Sequence, residues 1–292
     1  MKSPIGIFDS GLGGLSVAAQ VLRRLPKERI IYFADNAHVP YGERPLEEIQ
    51  EFALGITGFL LEKGAKAVVM ACNMSSAVAL DAARERYRDT PILGVIEPGA
   101  RAALTMHWSP SPLAGEGQDE GESASCIGVL ATTGTVKSEA YVRTIQRLNP
   151  SARVIQQACP KFVPLVESGQ ADSEEAEAAA CTYVAPLRSA GCATIILGCT
   201  HYPFLRRAIQ AAAGSDVTIV DPAEETAQAL SNILLERGIA SDRLDAPHEF
   251  YASGDTGGFA DLGSRFLGRP IESVETAIWG VDLGCAMKDA AV

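Results

Sequence analysis

Short apolar runs alternate with longer segments of helical periodicity along most of the chain. The first run, Ile5–Phe8, is followed by apolar residues at helical spacing from Leu15 to Leu25. Similar runs follow at 30–34, 67–71, 92–96, 127–130, 154–157, 193–198, 217–220 and 250–254. Strands that are apolar on both faces and separated by amphipathic helices are typical of parallel sheets covered by helices. The pattern therefore predicts an α/β fold with doubly wound parallel sheets.

The two halves of the chain repeat one plan. IGIFDSGLGG at 5–14 and IGVLATTGTV at 127–136 are both apolar runs that lead into a glycine-containing turn. Each half later presents a cysteine after an apolar run, Cys72 in the first and Cys199 in the second. We predict two similar α/β domains with the active site in the cleft between them. Residues 1–97 plus 209–292 would form the first domain, and 98–208 the second.

One segment interrupts this alternation. Residues 106–125 are dense in Pro, Gly, Ser and acidic side chains, which predicts a mobile surface insertion. Just before it, Glu97-Pro98-Gly99 is expected to form the turn that closes the strand at 92–96.

Composition and charge narrow the class of protein. The chain has 292 residues, 47% of them hydrophobic and 21% charged, as expected for a soluble protein of two domains. Its net charge of −11 argues against nucleic acid as the main partner. We find no apolar run long enough for a membrane span and no signal-peptide core, which predicts a cytoplasmic protein. The sequence does not fix the oligomeric state, and a homodimer is compatible with it.

The seven cysteines do not form a recognisable framework. Their odd number in a large apolar chain argues against a disulfide scaffold, and the absence of a CxxC pair or compact Cys/His cluster predicts no metal site. Cys72 and Cys199 stand apart because both follow a predicted buried strand. We interpret the remaining cysteines as packing residues: Cys126, Cys159, Cys181, Cys192 and Cys285.

The turn after residues 193–198 carries a thiol, a hydroxyl and an imidazole, at Cys199, Thr200 and His201. Ligands of open α/β sheets bind at this carboxyl edge of the strands. A lone cysteine there is more often a packing residue, but the counterpart at Cys72 favours chemistry. Two such thiols without a cofactor motif indicate proton transfer at carbon, one thiolate removing a proton and one thiol returning it.

The glycine-rich turn after Asp9 does not match the GxGxxG dinucleotide motif. We interpret it as a backbone loop that approaches a small ligand, with Asp9 and Ser10 facing that ligand.

These motifs resemble those of the glutamate racemases, within the cofactor-independent aspartate/glutamate racemase superfamily. The resemblance covers nearly the whole chain and is carried by IGIFDSGLGG, YFADNAHVPYG, ACN, GVLATTGTVKSEAY, CPKFVPLVESG and LGCTHYPFL. It implies two α/β domains and interconversion of L-glutamate and D-glutamate without a cofactor. The product would be D-glutamate for peptidoglycan synthesis.

The resemblance also implies roles for individual residues. The acid/base pair falls on Cys72 and Cys199, with auxiliary acid/base residues at Asp9, Asp35, Glu167 and His201. Asp35 is equally consistent with a residue that caps the loop after its strand. The implied substrate contacts are Asp9, Ser10, Tyr41, Gly42, Asn73, the residue at position 74, Thr200 and His201.

Position 74 departs from the family pattern, which has Thr after Cys-Asn where this chain has Met74. Ser75 or Ser76 could replace the missing hydrogen bond to the substrate, or the site accepts a different or weaker ligand. Three alternatives therefore stay open. They are a racemase for another acidic amino acid such as aspartate, a related one-cysteine reaction such as decarboxylation, and a ligand-binding homologue with reduced turnover.

Overall fold

The computed structural model describes residues 3–107 and 126–277. The strands are β1 Ile5–Asp9, β2 Ile30–Ala34, β3 Ala67–Met70, β4 Ile92–Gly94, β5 Cys126–Ala131, β6 Arg153–Ala158, β7 Cys192–Gly198, β8 Thr218–Val220, β9 Glu249–Ala252 and β10 Glu275–Thr276. The helices are α1 Leu15–Arg24, α2 Leu46–Glu62, α3 Asn73–Arg86, α4 Ile96–His107, α5 Thr133–Ser138, α6 Ala140–Leu148, α7 Phe162–Glu167, α8 Glu174–Ser189, α9 Arg206–Ala213, α10 Pro222–Glu236 and α11 Thr256–Leu267. Short 3-10 helices lie at Tyr41–Glu43 and Tyr202–Leu205.

The chain divides into two compact units, Met1–Val95 with Ala223–Val292, and Ile96–Pro222. The second crossover between them therefore lies at Pro222 and not at residue 208, where the sequence predicts it. The reason is that β8 pairs in parallel with β7, with Thr218 opposite Thr194. This pairing keeps β8 and the preceding helix α9 in the second unit.

The first unit contains a wholly parallel sheet in the order β10-β9-β2-β1-β3-β4. Every residue of β1, β2 and β3 is buried, as the continuous apolar runs predict. On one face, Phe8, Phe33 and Met70 pack against Ile56 and Leu60 of α2. Burial of each such side chain contributes about 1.5–3 kcal/mol, so this layer is a major part of the unit's core.

The second unit repeats that plan with a sheet in the order β6-β5-β7-β8, also wholly parallel. The order matches β2-β1-β3-β4 strand for strand. In both sheets the strand order reverses direction beside the first strand. This switch point lies between β1 and β3 in the first sheet and between β5 and β7 in the second. Ligands of open α/β sheets bind at such switch points, at the carboxyl ends of the strands. The predicted pair of similar parallel-sheet α/β domains is confirmed.

Three details differ from the sequence prediction. Strand β4 ends at Gly94, and Glu97-Pro98-Gly99 lies inside the first turn of α4 and does not form a turn after the strand. Proline is tolerated there because the first backbone N–H groups of a helix have no partner within the helix. Strand β10 has no counterpart in the prediction. The predicted insertion begins inside α4, and its residues from 108 onward lie outside the described part of the chain.

The interpretation of Cys126, Cys192 and Cys181 as packing residues is wrong. Cys126 and Cys192 begin neighbouring strands in register, with Cα atoms 4.4 Å apart, and the structure joins them by a disulfide. Cys181 is exposed on α8, whereas Cys159 is buried as predicted. Cys285 lies outside the described residues. Within the described ranges, no helix is long and apolar enough to cross a membrane.

Candidate active site

Cys72 lies where the chain passes from β3 into α3. Its backbone is extended, with φ −70° and ψ 127°, and it is the N-cap of the helix. The residue is 6% exposed, and its thiol donates to Oγ of Ser10, which lies 3.8 Å from Sγ. A sulfur at a helix N-terminus faces backbone N–H groups that favour negative charge.

The glycine-rich turn after β1 fixes the side chain of Asp9. Oδ2 of this buried carboxylate accepts hydrogen bonds from the N–H groups of Gly11 at 3.1 Å and Gly14 at 3.0 Å. A Cβ at position 14 would lie 2.4 Å from Cβ of Asp9 and 2.8 Å from Oη of Tyr32, so only glycine fits there. The turn therefore holds the Asp9 carboxylate at the carboxyl end of β1, next to β3. A carboxylate at this position is consistent with the absence of a dinucleotide motif.

The Cys72 thiol is protonated at rest. Burial raises its pKa most, and the negative charge of Asp9 raises it further, to about 11. The backbone N–H and hydroxyl of Ser75 and the hydroxyl of Ser10 act in the opposite direction, since they donate to the thiolate.

Asp35 is fully buried at the end of β2 and accepts hydrogen bonds from three side chains. Oη of Tyr41 lies 2.5 Å from one carboxylate oxygen, and Nδ1 of His38 and Oγ of Ser253 each lie 2.7 Å from the other. Burial and the neighbouring Asp35 raise the pKa of Tyr41 far above its usual range, so its hydroxyl stays protonated. These contacts make Asp35 the anchor of the loop that carries Tyr41.

The other predicted substrate contacts of the first unit differ in exposure. Asn73 and Met74 are buried in the first turn of α3, Ser10 is half-buried, and Gly42 is exposed. The side chain of Met74 belongs to an apolar cluster with Tyr41, Ile49, Phe52 and Cys72. Position 74 is therefore part of a packed core in this chain.

Cys199, His201 and Glu167 form a chain of contacts in the second unit. Nδ1 of His201 lies 3.8 Å from Sγ of Cys199, and Nε2 of the same ring lies 3.0 Å from Oε1 of Glu167. Cys199 follows β7 directly, and Glu167 is the last residue of α7. Thr200, which lies between Cys199 and His201 in the sequence, is also buried.

Close packing determines the turn that carries Cys199. A Cβ at Gly198 would lie 2.9 Å from the carbonyl oxygen of Leu130 and 3.1 Å from the ring of Tyr141, which leaves room only for glycine. One turn later, Oη of Tyr202 donates to the carbonyl oxygen of Cys159 at 3.3 Å. These contacts hold the thiol and the imidazole at the carboxyl edge of β7.

The family model described as Asp/Glu/hydantoin racemase matches residues 13–230, which is most of the chain. The chain belongs to this racemase family. A glutamate racemase of Desulforudis audaxviator is 43% identical over 280 residues, covering 94% of this chain and 97% of the relative. The protein is therefore an enzyme, an amino-acid racemase.

Solved structures agree with this assignment. The crystal structure of a glutamate racemase isoform from Bacillus anthracis superposes on the racemase with a TM-score of 0.86 at 39% identity, covering 96% of this chain and 98% of that chain. A glutamate racemase of Francisella tularensis in complex with D-glutamate gives a TM-score of 0.83 at 31% identity, covering 94% and 97% of the two chains.

The structure of the racemase thus forms two clusters from the predicted site residues. Asp9, Ser10 and Cys72 lie together in the first unit, with Asp35 and Tyr41 in a separate network of hydrogen bonds. Glu167, Cys199 and His201 lie together in the second unit. Among residues 3–107 and 126–277, no group of three or more His, Cys, Asp or Glu side chains could hold a metal ion.

Two polar residues of these clusters were not predicted as site residues. Ser253 directly follows β9 and donates to Asp35. The predicted strand at 250–254 includes Ser253, whereas β9 ends at Ala252, so the sequence hid the position of Ser253 at the carboxyl end of a strand. For Ser75, the sequence suggests only a substitute for a substrate contact. The structure shows that this residue is fully buried.

Proposed function

We propose that this racemase interconverts L-glutamate and D-glutamate by moving the α-proton between two cysteines, without a cofactor. The observation that carries the proposal is the similar position of Cys72 and Cys199, which follow the corresponding strands β3 and β7 by two residues and one residue. Each thiol also has its own ionisable neighbour, Asp9 for Cys72 and His201 for Cys199. The glutamate racemases of Desulforudis audaxviator and Bacillus anthracis support the choice of glutamate.

Cys199 is the base when the reaction starts on its side. Glu167 accepts a hydrogen bond from Nε2–H of His201, which leaves Nδ1 unprotonated and facing the sulfur. Nδ1 then takes the proton of the Cys199 thiol and produces a thiolate, as in other cysteine–histidine pairs. The thiolate removes the α-proton of the substrate, and the electron pair of the broken C–H bond stays on the α-carbon.

Cys72 completes the reaction as the acid. Its raised pKa keeps the proton on sulfur until the carbanion forms, and that proton then makes the new C–H bond on the opposite face of the α-carbon. The products are the other enantiomer, a Cys199 thiol, a protonated His201 and a Cys72 thiolate, and proton exchange with solvent restores the resting enzyme. The reverse reaction uses the same groups in the opposite order, so protons and electrons balance without an oxidant or reductant.

The remaining residues bind or position. Ser10, Asn73 and Thr200 offer hydrogen-bond donors to the carboxylates of glutamate, and their side-chain oxygens can accept from its amino group. The hydroxyl proton of Tyr41 is donated to Asp35, so its oxygen is left to accept from the substrate. Asp35 acts through Tyr41 as a positioning residue. In the cell, the enzyme would supply D-glutamate for peptidoglycan in the cytoplasm. A homodimer stays a prediction.

Circular dichroism of L-glutamate and D-glutamate solutions incubated with the pure protein tests this function. Both signals should decay to zero, while L-aspartate should keep its signal. Loss of the aspartate signal alone would assign the enzyme to that substrate. If α-protons of glutamate exchange with deuterium in neither direction although glutamate binds, the protein is a ligand-binding homologue.

The two-cysteine assignment is tested separately. Cys72→Ala and Cys199→Ala should each abolish racemisation and keep the far-UV spectrum of the wild type. Cys181→Ala is the matched control, because this thiol is exposed on α8 and belongs to neither cluster. Wild-type turnover in either of the first two variants would contradict the assignment.

A further inference from the structure

We propose that the hydroxyl of Ser75 donates a hydrogen bond to the Cys72 sulfur when that sulfur is ionised, and so stabilises the thiolate during turnover. The inference rests on the proposed function, because it matters only if Cys72 cycles between thiol and thiolate. Ser75 does not contact the reacting carbon in this scheme and is a positioning residue.

The local geometry places Ser75 beside the sulfur. Cys72 is the N-cap of α3, and Asn73 is its first residue, so Ser75 is the third residue of the helix. In helix N-termini, the N-cap side chain faces the backbone N–H of the third residue, and the side chain of that residue reaches back toward the N-cap. A thiolate at position 72 therefore receives both donors of Ser75, its N–H and its hydroxyl.

The hydroxyl of Ser75 has no other use in the resting enzyme. Its Oγ is fully buried and makes no hydrogen bond within the described residues. A buried hydroxyl without a partner is destabilising, and an acceptor that forms during turnover would offset that cost. Ionised Cys72 supplies a strong acceptor, whereas the sulfur of the protonated thiol is only a weak one.

The neighbouring Ser76 is different. Its Oγ donates to the carbonyl oxygen of Met70 at 2.9 Å and accepts from the N–H of Val95 at 3.2 Å. These contacts link α3 to β3 and to the end of β4. Ser76 is therefore a structural residue, and of the two serines only Ser75 is available for the sulfur.

The charged and titratable groups around Cys72 disfavour its thiolate, so a hydrogen bond from Ser75 has a large effect there. Asp9 at the end of β1 raises the pKa of the thiol, and the rings of Tyr32 and Tyr41 lie within electrostatic range of the sulfur. Both tyrosines have a strongly raised pKa because of burial and stay neutral. No cation balances the thiolate among these neighbours, so hydrogen bonds from Ser75 and Ser10 are what favours it.

The test compares Ser75→Ala with Ser76→Ala. Intact, substrate-free protein is treated with iodoacetamide between pH 8 and 9.5, and alkylation of Cys72 is followed by peptide mass spectrometry. Loss of one hydrogen bond to an ionised group should raise the thiol pKa by about one unit and lower the thiolate fraction about tenfold. Because a thiolate of higher pKa is more nucleophilic, the alkylation rate should fall about threefold.

Ser76→Ala should lower the melting temperature and leave the alkylation rate of Cys72 unchanged. An unchanged rate in Ser75→Ala overturns the inference. So does an unfolded Ser75→Ala protein, because the hydroxyl would then have a structural partner. The readout needs no substrate, so a threefold slower alkylation in a protein that does not racemise glutamate would reject the proposed function and keep the thiolate contact.

Discussion

Nε2 of His201 lies 3.0 Å from Oε1 of Glu167, and the two side chains differ in exposure, 11% for the histidine and 47% for the glutamate. The carboxylate therefore connects a buried imidazole with solvent. It also fixes which ring nitrogen carries the proton, because a carboxylate at Nε2 requires N–H there. The sulfur of Cys199 consequently faces the nitrogen that can accept its proton.

Replacement of Glu167 by Gln should lower kcat for both enantiomers by about tenfold, since the amide can still accept the hydrogen bond but lacks the negative charge that stabilises the protonated imidazole. The measurement is the rate of racemisation from L-glutamate and from D-glutamate across pH 6–10. Asp172→Asn is the matched control, because Asp172 is an exposed carboxylate paired with Arg207. Equal rates in Glu167→Gln and wild type would show that the contact has no catalytic role.

Asp9→Asn should change the alkylation rate of Cys72 and the rate of racemisation in opposite directions. The charge of Asp9 raises the pKa of Cys72, so its removal should lower that pKa by about one unit and raise the alkylation rate of Cys72 about threefold. Racemisation should nevertheless fall, because the neutral amide cannot exchange protons with Cys72 as the proposed auxiliary acid/base residue. Slower alkylation in this variant would mean that the glycine-rich turn, and not the charge, controls the sulfur.

The raised pKa of Cys72 also predicts how stability depends on pH. The folded protein holds the thiol proton more tightly than the unfolded chain, with a pKa of about 11 against an ordinary 9.0. This contribution is complete below about pH 9 and is lost as the pH rises toward 11. Over that window, urea unfolding of the wild type should lose about 2–3 kcal/mol relative to Cys72→Ala. Parallel curves for the two proteins would contradict the shift.

Much of the architecture follows from the sequence because parallel strands buried on both faces are continuous apolar runs. The runs at 5–8 and 127–130 each predicted a strand, and β1 and β5 are inner strands of their sheets. The cysteines after later runs predicted one such residue in each unit. The motif CPKFVPLVESG contains Glu167, which is the last residue of α7. Local patterns were sufficient for all of these.

Other features depend on contacts between distant segments. The second crossover could not be placed because β8 is a short strand whose sheet is decided by its pairing with β7. The disulfide between Cys126 and Cys192 depends on the register of two strands. The network of Asp35 was hidden for the same reason, since Ser253 arrives from a strand far along the chain.

Met74→Thr tests whether the departure from the family pattern harms the enzyme. The side chain of Met74 packs against Tyr41, Ile49 and Phe52, so its truncation should lower stability by about 2–4 kcal/mol. We expect no large gain in racemisation, because the hydroxyl would enter an apolar cluster. Met74→Leu keeps the volume and should be close to wild type in both respects. A strong gain in kcat/KM without loss of stability would instead show that Met74 obstructs the substrate.

Ser253→Ala tests the anchoring of the substrate-binding loop by Asp35. The hydroxyl donates to Asp35 at 2.7 Å and accepts from the N–H of Ala37 at 3.0 Å, so its loss removes two contacts at the start of the loop that leads to Tyr41. We expect stability to fall by about 2 kcal/mol and KM for glutamate to rise severalfold, with a smaller change in kcat. Ser264→Ala is the matched control, because its hydroxyl also donates and accepts, to Ala260 and from Ile271, in a helix that lacks any predicted site residue. If both variants lose stability and neither changes KM, then Asp35 stabilises the unit without positioning Tyr41 for the substrate.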